Sequence, residues 1–293
     1  MIKTAFHGFC MALADSVPGV SGSTIAFIMG YYEEFLLSLH GLFGINNDLR
    51  KKSLGYLSKF AVGWGIGIII SILIISRIFE VQAYLLSSLF LGLTIVAIPV
   101  IVNEEKDSFI GKYKYLIFTL VGFALVVGLG TFKSRVGDLG NINFLTLSPG
   151  QYIYISVSGL LAISAMLLPG VSGSTLLLIF GVYISTINAV KHVLDLDFRY
   201  LPGLLALAFG IIIGVATIAR YIRKALKKYR PQMMYFILGL LIGSLHAIVM
   251  GPSTLDEPQP PLSIENFSIT GFLIGIAILG GLEIMKRRTQ KRL

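Results

Sequence analysis

Residues 18–24 read Pro-Gly-Val-Ser-Gly-Ser-Thr, and residues 169–175 repeat the heptapeptide without a change, at an offset of 151. The likeness runs on to Gly30 and Gly181 and to Tyr32 and Tyr183. It resumes at an offset of 147, where Gly63 and Gly67 match Gly210 and Gly214, and Leu91-Gly92-Leu93 matches Leu238-Gly239-Leu240. About 80 residues of each half are thus copies of one unit. Each heptapeptide interrupts a hydrophobic region, residues 4–37 and 150–188, that is too long for one membrane helix. Pro18 and Pro169 lack an amide hydrogen and disfavour helix in the residue before them, and Gly19, Gly22, Gly170 and Gly173 permit tight turns. The chain is expected to break at both places.

The solvent around these breaks is read from composition. Of 293 residues, 55% are hydrophobic and only 13% charged, about half the charged fraction of a soluble domain. The deficit runs along the whole chain. Beyond the broken regions, residues 60–76, 83–102, 115–132, 201–219, 233–250 and 267–285 are apolar enough to cross a bilayer. The formal charge of +9 sits in short blocks between apolar runs, the pattern that orients membrane proteins, and argues against nucleic-acid binding. A single cysteine, Cys10, and four scattered histidines supply no disulfide framework and no metal or cofactor site. Lys3, an apolar stretch and Ala12-Leu13-Ala14 resemble a signal peptide, but His7 and Gly8 interrupt the apolar part, and cleavage would sever the first broken region.

Positive charge chooses between topologies. If each broken region enters and leaves on one side, the N-terminus, residues 46–59, 103–114 and 220–230 and the C-terminal tail share one face holding 19 of the 24 basic residues. If each crosses once, the better orientation gives 15 against 9. Re-entrant hairpins fit better and put the termini in the cytoplasm. Three spans then separate the hairpins, so the second unit is inverted. The expected architecture is an all-α integral membrane protein with two inverted-topology repeats, each a re-entrant broken-helix hairpin plus spanning helices. It forms one transmembrane domain over residues 1–293: repeat 1 at 4–102, a linking helix at 115–132, repeat 2 at 150–250 and a final helix at 267–285. The intervening loops are expected at residues 46–59, 103–114 and 220–230.

Irregular backbone at membrane depth is tolerated only where protein or a wet cavity supplies partners, so a cavity is expected at the breaks. After each break, Ser21, Ser23 or Thr24, and Ser172, Ser174 or Thr175, stand where hydroxyls cap a helix. Free amides at such a helix start suit a phosphate or carboxylate. For Gly63, Gly67, Gly210, Gly214, Gly239 and Gly243, close helix packing is the preferred reading. Asp15, whose counterpart is Met166, is a proton carrier, the partner of a base or a local cap. Glu33 is a further candidate. Glu283, beside Lys286, Arg287 and Arg288, is expected at the interface, and His40 and His192 in surface loops. Arg77, Arg220 and Arg223 are candidates to neutralise an anion.

The stretch from Gly8 to Glu33, with Ala14-Asp15-Ser16-Val17 before the first heptapeptide and Gly30-Tyr31-Tyr32-Glu33 after it, resembles the first signature of the bacterial undecaprenyl phosphate translocases. Ala165 to Thr175, with Gly181 and Tyr183, is similar to the second, and Gly239 to Leu245 resembles a later glycine-serine helix. Ile184, where that family often has an acid, and Ser23, where it often has glycine, depart from the pattern and argue against symmetric carboxylates. The resemblance implies a transporter, not an enzyme. It would return the C55 carrier lipid undecaprenyl phosphate from the outer to the inner leaflet for cell-wall precursor recycling, with protons or another ion as coupling partner. The headgroup faces a barrier of tens of kcal/mol in hydrocarbon, while its tail stays in lipid. The expected substrate-binding set is Asp15, Gly19, Ser21, Gly22, Ser23, Thr24, Glu33, Gly170, Ser172, Gly173, Ser174 and Thr175. A small-anion transporter and a membrane lipid phosphatase are the alternatives.

Overall fold

A computed structural model describes residues 2–15, 21–44, 46–71, 82–136, 142–171, 173, 176–177, 180–254 and 259–290. The described residues are helical, with no strand among them. The first broken region forms three helices, α1 (Ile2–Asp15), α2 (Gly22–Ile28) and α3 (Tyr32–Leu42), and α4 (Asn47–Ile70) follows. Next come α5 (Ala83–Glu104), the short α6 (Lys106–Phe109) and α7 (Leu116–Val136). The second half comprises α8 (Pro149–Met166), α9 (Tyr183–Leu194), α10 (Leu201–Lys228), α11 (Arg230–Val249) and α12 (Ile269–Gln290). Four segments, Asn47–Ile70, Ala83–Glu104, Phe198–Lys228 and Arg230–Val249, are long and apolar enough to cross a membrane.

Boundaries follow local chemistry. Asn46 accepts hydrogen bonds from the amides of Asp48 and Leu49 and starts α4, so the basic residues expected in a loop at 46–59 lie on a helix. The expected loop at 220–230 is likewise helical up to Lys228, because Lys and Arg favour helix and the chain does not end its turn where the apolar stretch ends. Ser148 and Gln151 form a capping box that starts α8, with Pro149 in its first turn. Gly30 and Gly181, an equivalent pair, both have positive φ, at 74° and 65°, and at Gly30 this turn follows the end of α2.

Glycines set the helix pairing. A side chain at Gly8 would collide with the Phe60 carbonyl, one at Gly63 with Ala5 and one at Gly67 with Phe9 and Ala12. The same collisions recur between Gly159 and Leu207, Gly210 and Ser156, and Gly214 and Leu160. Close packing is therefore what these glycines serve. The register rises together along both members of each pair, so α1 runs parallel to α4, and α8 parallel to α10. Between parallel neighbours the chain has doubled back. A second set of contacts crosses the halves. Gly92 and Gly275 pack α5 on α12, and Gly122 and Gly239 pack α7 on α11, again in parallel register. Outside these seams, α4 exposes Val62, Ile66 and Ile69 and α10 exposes Leu205, Phe209 and Ile212, at helical spacing. A surface greasy at this period fits lipid better than water.

Candidate functional site

The two breaks touch. Ser23, fully buried, donates from Oγ to the carbonyl oxygens of Met166 at 2.6 Å and Leu168 at 3.0 Å. The Tyr32 hydroxyl donates to the Leu167 carbonyl at 2.6 Å. Thr24 Oγ1 accepts from the Gly170 amide at 2.7 Å. The last carbonyls of α8 have no partner within their own helix, so hydroxyls of the first hairpin satisfy the end of the helix leading into the second. Gly170 has φ of 86°, and a Cβ there would lie 2.6 Å from the Leu240 carbonyl of α11. Glycine is required by both conformation and space.

A proton count fixes the direction of one further bond. Ser23 has one hydroxyl hydrogen, already shared by the carbonyls of Met166 and Leu168. The 2.7 Å contact between the Ser21 and Ser23 hydroxyls is therefore donated by Ser21.

The expected serine and threonine caps are not what the first helix uses. Ser21 precedes α2 without a side-chain capping bond. Asp15 Oδ1 instead accepts from the Gly22 amide at 2.7 Å. A carboxylate is the stronger acceptor for a helix-start amide, and the Ser23 and Thr24 hydroxyls reach across to the other half, Ser23 to the carbonyls of Met166 and Leu168 and Thr24 to the Gly170 amide. Asp15 is thus a local cap. Its Oδ2 is buried without a hydrogen bond of normal geometry among the described residues, though the Trp64 side chain acts on the same carboxyl. The counterpart of the Gly22 packing is conserved in form between the halves: Gly22 lies against Met11 and Asp15, and Gly173 against Ala162 and Met166.

The expectation of bare amides in an open cavity is therefore not met at Gly22 and Gly170, whose amides are bonded. Ser21, Ser23 and Thr24 are at most 4% exposed. The helix α2 has seven residues, so what it offers an anion is individual amides and hydroxyls more than a macrodipole. Of the expected binding residues, Asp15, Ser21, Gly22, Ser23, Thr24 and Gly170 come together here, and Gly173 packs on α8. Gly19, Ser172, Ser174 and Thr175 lie outside the described residues, as does Arg77.

Glu33 belongs to another group. It accepts from Arg230 Nη1 at 2.9 Å, while Arg230 also grips Glu105 through Nε at 2.9 Å and Nη2 at 2.6 Å. The hydrogen bonds from Arg230 hold the Glu105 carboxyl below its ordinary value. This clasp joins α3, the turn after α5 and the start of α11. Sequence reading missed Tyr32, Arg230 and Glu105. The duplicated Tyr32 and Tyr183 carried a signal for the first, while the clasp joins residues far apart in sequence and gave none. His40 and His192 sit on helices, not in loops; His192 stacks on Tyr200 at 4.3 Å.

A family model described as undecaprenyl phosphate translocase-like matches residues 11–264. A Vibrio cholerae protein named polyprenyl-phosphate transporter is 33% identical over 216 residues, covering 69% of this chain and 65% of its own length. A Staphylococcus aureus protein of the same name is 34% identical over 209 residues, covering 68% of this chain and 69% of its own. The match to the first thus spans slightly less than two thirds of that relative. No solved structure matches. With both breaks inside the matched range and the glycine seams described above, the chain belongs to the undecaprenyl phosphate translocase-like family.

Proposed function

We propose that this protein moves a polyprenyl phosphate of the undecaprenyl class across the cell membrane, from the outer to the inner leaflet, by carrying its headgroup past the two paired breaks. The observation that carries this reading is the direct contact between the breaks, in a family whose relatives bear the name polyprenyl-phosphate transporter. Paired broken helices at a repeat interface are the usual address of a transport site. The parallel registers of α1 with α4 and of α8 with α10 support re-entrant hairpins. With consecutive spans alternating in direction, α7 parallel to α11 and α5 parallel to α12 support an inverted second unit. The basic face, and with it both termini, is then cytoplasmic.

The Gly22 and Gly170 amides already have protein acceptors. Headgroup entry requires Asp15 to release the Gly22 amide and Thr24 to release that of Gly170, so a phosphate substitutes its oxygens for protein acceptors already there. Ser21, Ser23 and Thr24, with Gly19, Gly22, Gly170, Gly173, Ser172, Ser174 and Thr175, form the headgroup path. Asp15, the carboxylate that must yield to a like charge, is the coupling residue when protons drive the cycle. Glu33 acts with Arg230 at the edge of the path.

The test is a reconstituted translocation assay with a fluorescent prenyl phosphate and alanine at Ser21, Thr24, Ser172 and Thr175. At least a tenfold loss with retained folding is expected, and wild-type rates in all four would reject the path. Competition by inorganic phosphate as strong as by short prenyl phosphates would favour a small-anion transporter. Release of phosphate from the lipid by purified protein would favour a phosphatase.

A further inference from the structure

A second feature lies at the end of α10, away from the breaks. Arg220, Arg223, Lys224, Lys227 and Lys228 recur at i, i+3, i+4, i+7 and i+8, which places them along one helical face. Ala219, Ile222 and Leu226, on the other side, are buried in the core. The basic face lines a cavity of about 430 Å³ whose remaining wall is His40 of α3. Burial, followed by the positive charge of Arg223 and Arg220, holds the His40 imidazole below its ordinary value. Glu33 and Glu34 line an adjoining cavity of about 250 Å³ together with Arg223 and Lys227, but Glu33 is itself engaged by Arg230.

Depth identifies the visitor. Before Arg220, α10 runs uncharged from Leu201 to Ala219, about 28 Å at 1.5 Å per residue, close to the roughly 30 Å of a hydrocarbon core. The basic pocket begins where that core ends, at the level of lipid headgroups. Basic pockets between helices at this level suit anionic lipid heads, and guanidinium forks match phosphate oxygens.

We propose that the pocket formed by His40, Arg220, Arg223, Lys224, Lys227 and Lys228 is a binding site for the phosphomonoester headgroup of a membrane lipid. Several fixed positive charges around one small cavity favour a dianion over a monoanion. The choice of a phosphomonoester over a phosphodiester rests on the transport reading above, whereas the demand for a lipid-borne phosphate does not. In that reading the pocket receives the headgroup after it has passed the breaks.

The test uses full-length protein in nanodiscs of zwitterionic lipid, with the His40 imidazole resonances as a local reporter, assigned by His40→Gln. Farnesyl phosphate, phosphatidylglycerol and inorganic phosphate are titrated in turn. Farnesyl phosphate is expected to shift the His40 signals saturably, at least tenfold more tightly than either competitor. Its affinity should fall at least tenfold in the Arg223→Gln/Lys227→Gln variant and at raised salt. Absence of a saturable shift, or unchanged affinity in that variant, overturns the site. Inorganic phosphate binding as tightly as farnesyl phosphate overturns the lipid assignment, and phosphatidylglycerol doing so overturns the monoester assignment. Translocation by the same preparation is measured separately. Binding at His40 without any translocation of prenyl phosphate would reject the transport reading and leave a lipid-phosphate pocket standing.

Discussion

Replacing Thr24 by valine keeps the side-chain shape and removes one acceptor, the oxygen that receives the Gly170 amide at 2.7 Å. Thr24 is 4% exposed and Gly170 is buried, so no bulk water reaches the vacated position. An amide left unsatisfied in such a place costs about 1–3 kcal/mol. Interhelical hydrogen bonds measured in a membrane protein average about 0.6 and reach about 1.7 kcal/mol, because the unfolded chain in lipid finds other partners. The two ranges overlap between about 1 and about 1.7 kcal/mol, a factor of roughly 5–20 in the unfolding equilibrium. Thr24→Ser keeps the oxygen and loses a methyl, so it separates the hydrogen bond from packing. Both variants are compared with wild type by denaturant titration in mixed micelles. Thr24→Val is expected to lose about 1–1.7 kcal/mol and Thr24→Ser to retain the amide bond. Wild-type stability in Thr24→Val would refute the assignment of Thr24 as the acceptor that joins the breaks.

Asp15→Asn preserves an oxygen for the Gly22 amide but removes the charge; translocation in pH-jumped vesicles should lose its wild-type pH dependence, and an unchanged profile ends the proton-coupling role. Arg230→Met breaks the clasp on Glu105 and Glu33. Since the partners are 42%, 20% and 55% exposed, solvent screening limits the loss to about 1 kcal/mol. Glu105 is held below its ordinary 4.5, so this contribution is present above that value and disappears as pH falls through the lower folded value. The gap between wild type and Arg230→Met should therefore close in acid, and a gap that persists there argues against the ion pair as its source. Gly63→Ala drives a methyl into the Ala5 carbonyl, whereas Gly65→Ala meets nothing within 4 Å. The first should separate α1 from α4 and lower the melting temperature. The second should be neutral or stabilising by up to about 1 kcal/mol, and equal effects would refute the seam.

The breaks were legible because proline and glycine act on the backbone wherever they stand, and because the heptapeptide occurs twice. The seams were legible too: paired glycines at matching offsets mark where two backbones approach, and Gly63 and Gly67 do so against α1, as Gly210 and Gly214 do against α8. What hid was the choice of partner. Ser21, Ser23 and Thr24 sit where capping hydroxyls belong, yet an aspartate seven residues upstream of Gly22 takes that role, while Ser23 and Thr24 bond the backbone of Met166, Leu168 and Gly170 in the other half. Local rules rank acceptors along the chain and do not see unpartnered carbonyls arriving from elsewhere. Helix length was misread at α4 and α10 for a related reason. Hydropathy marks the edge of oil, while hydrogen bonding carries the helix past it.

The exchange of partners between halves, α5 lying on α12 and α7 on α11, has a consequence for biogenesis. When the ribosome has finished the first half, the faces of Gly92 and Gly122 have no mate and must wait in lipid until α11 and α12 insert. Assembly then ends with the last two helices closing onto α7 and α5, so a stalled or shortened nascent chain exposes those glycine faces to membrane quality control even though each of its own helices has already formed.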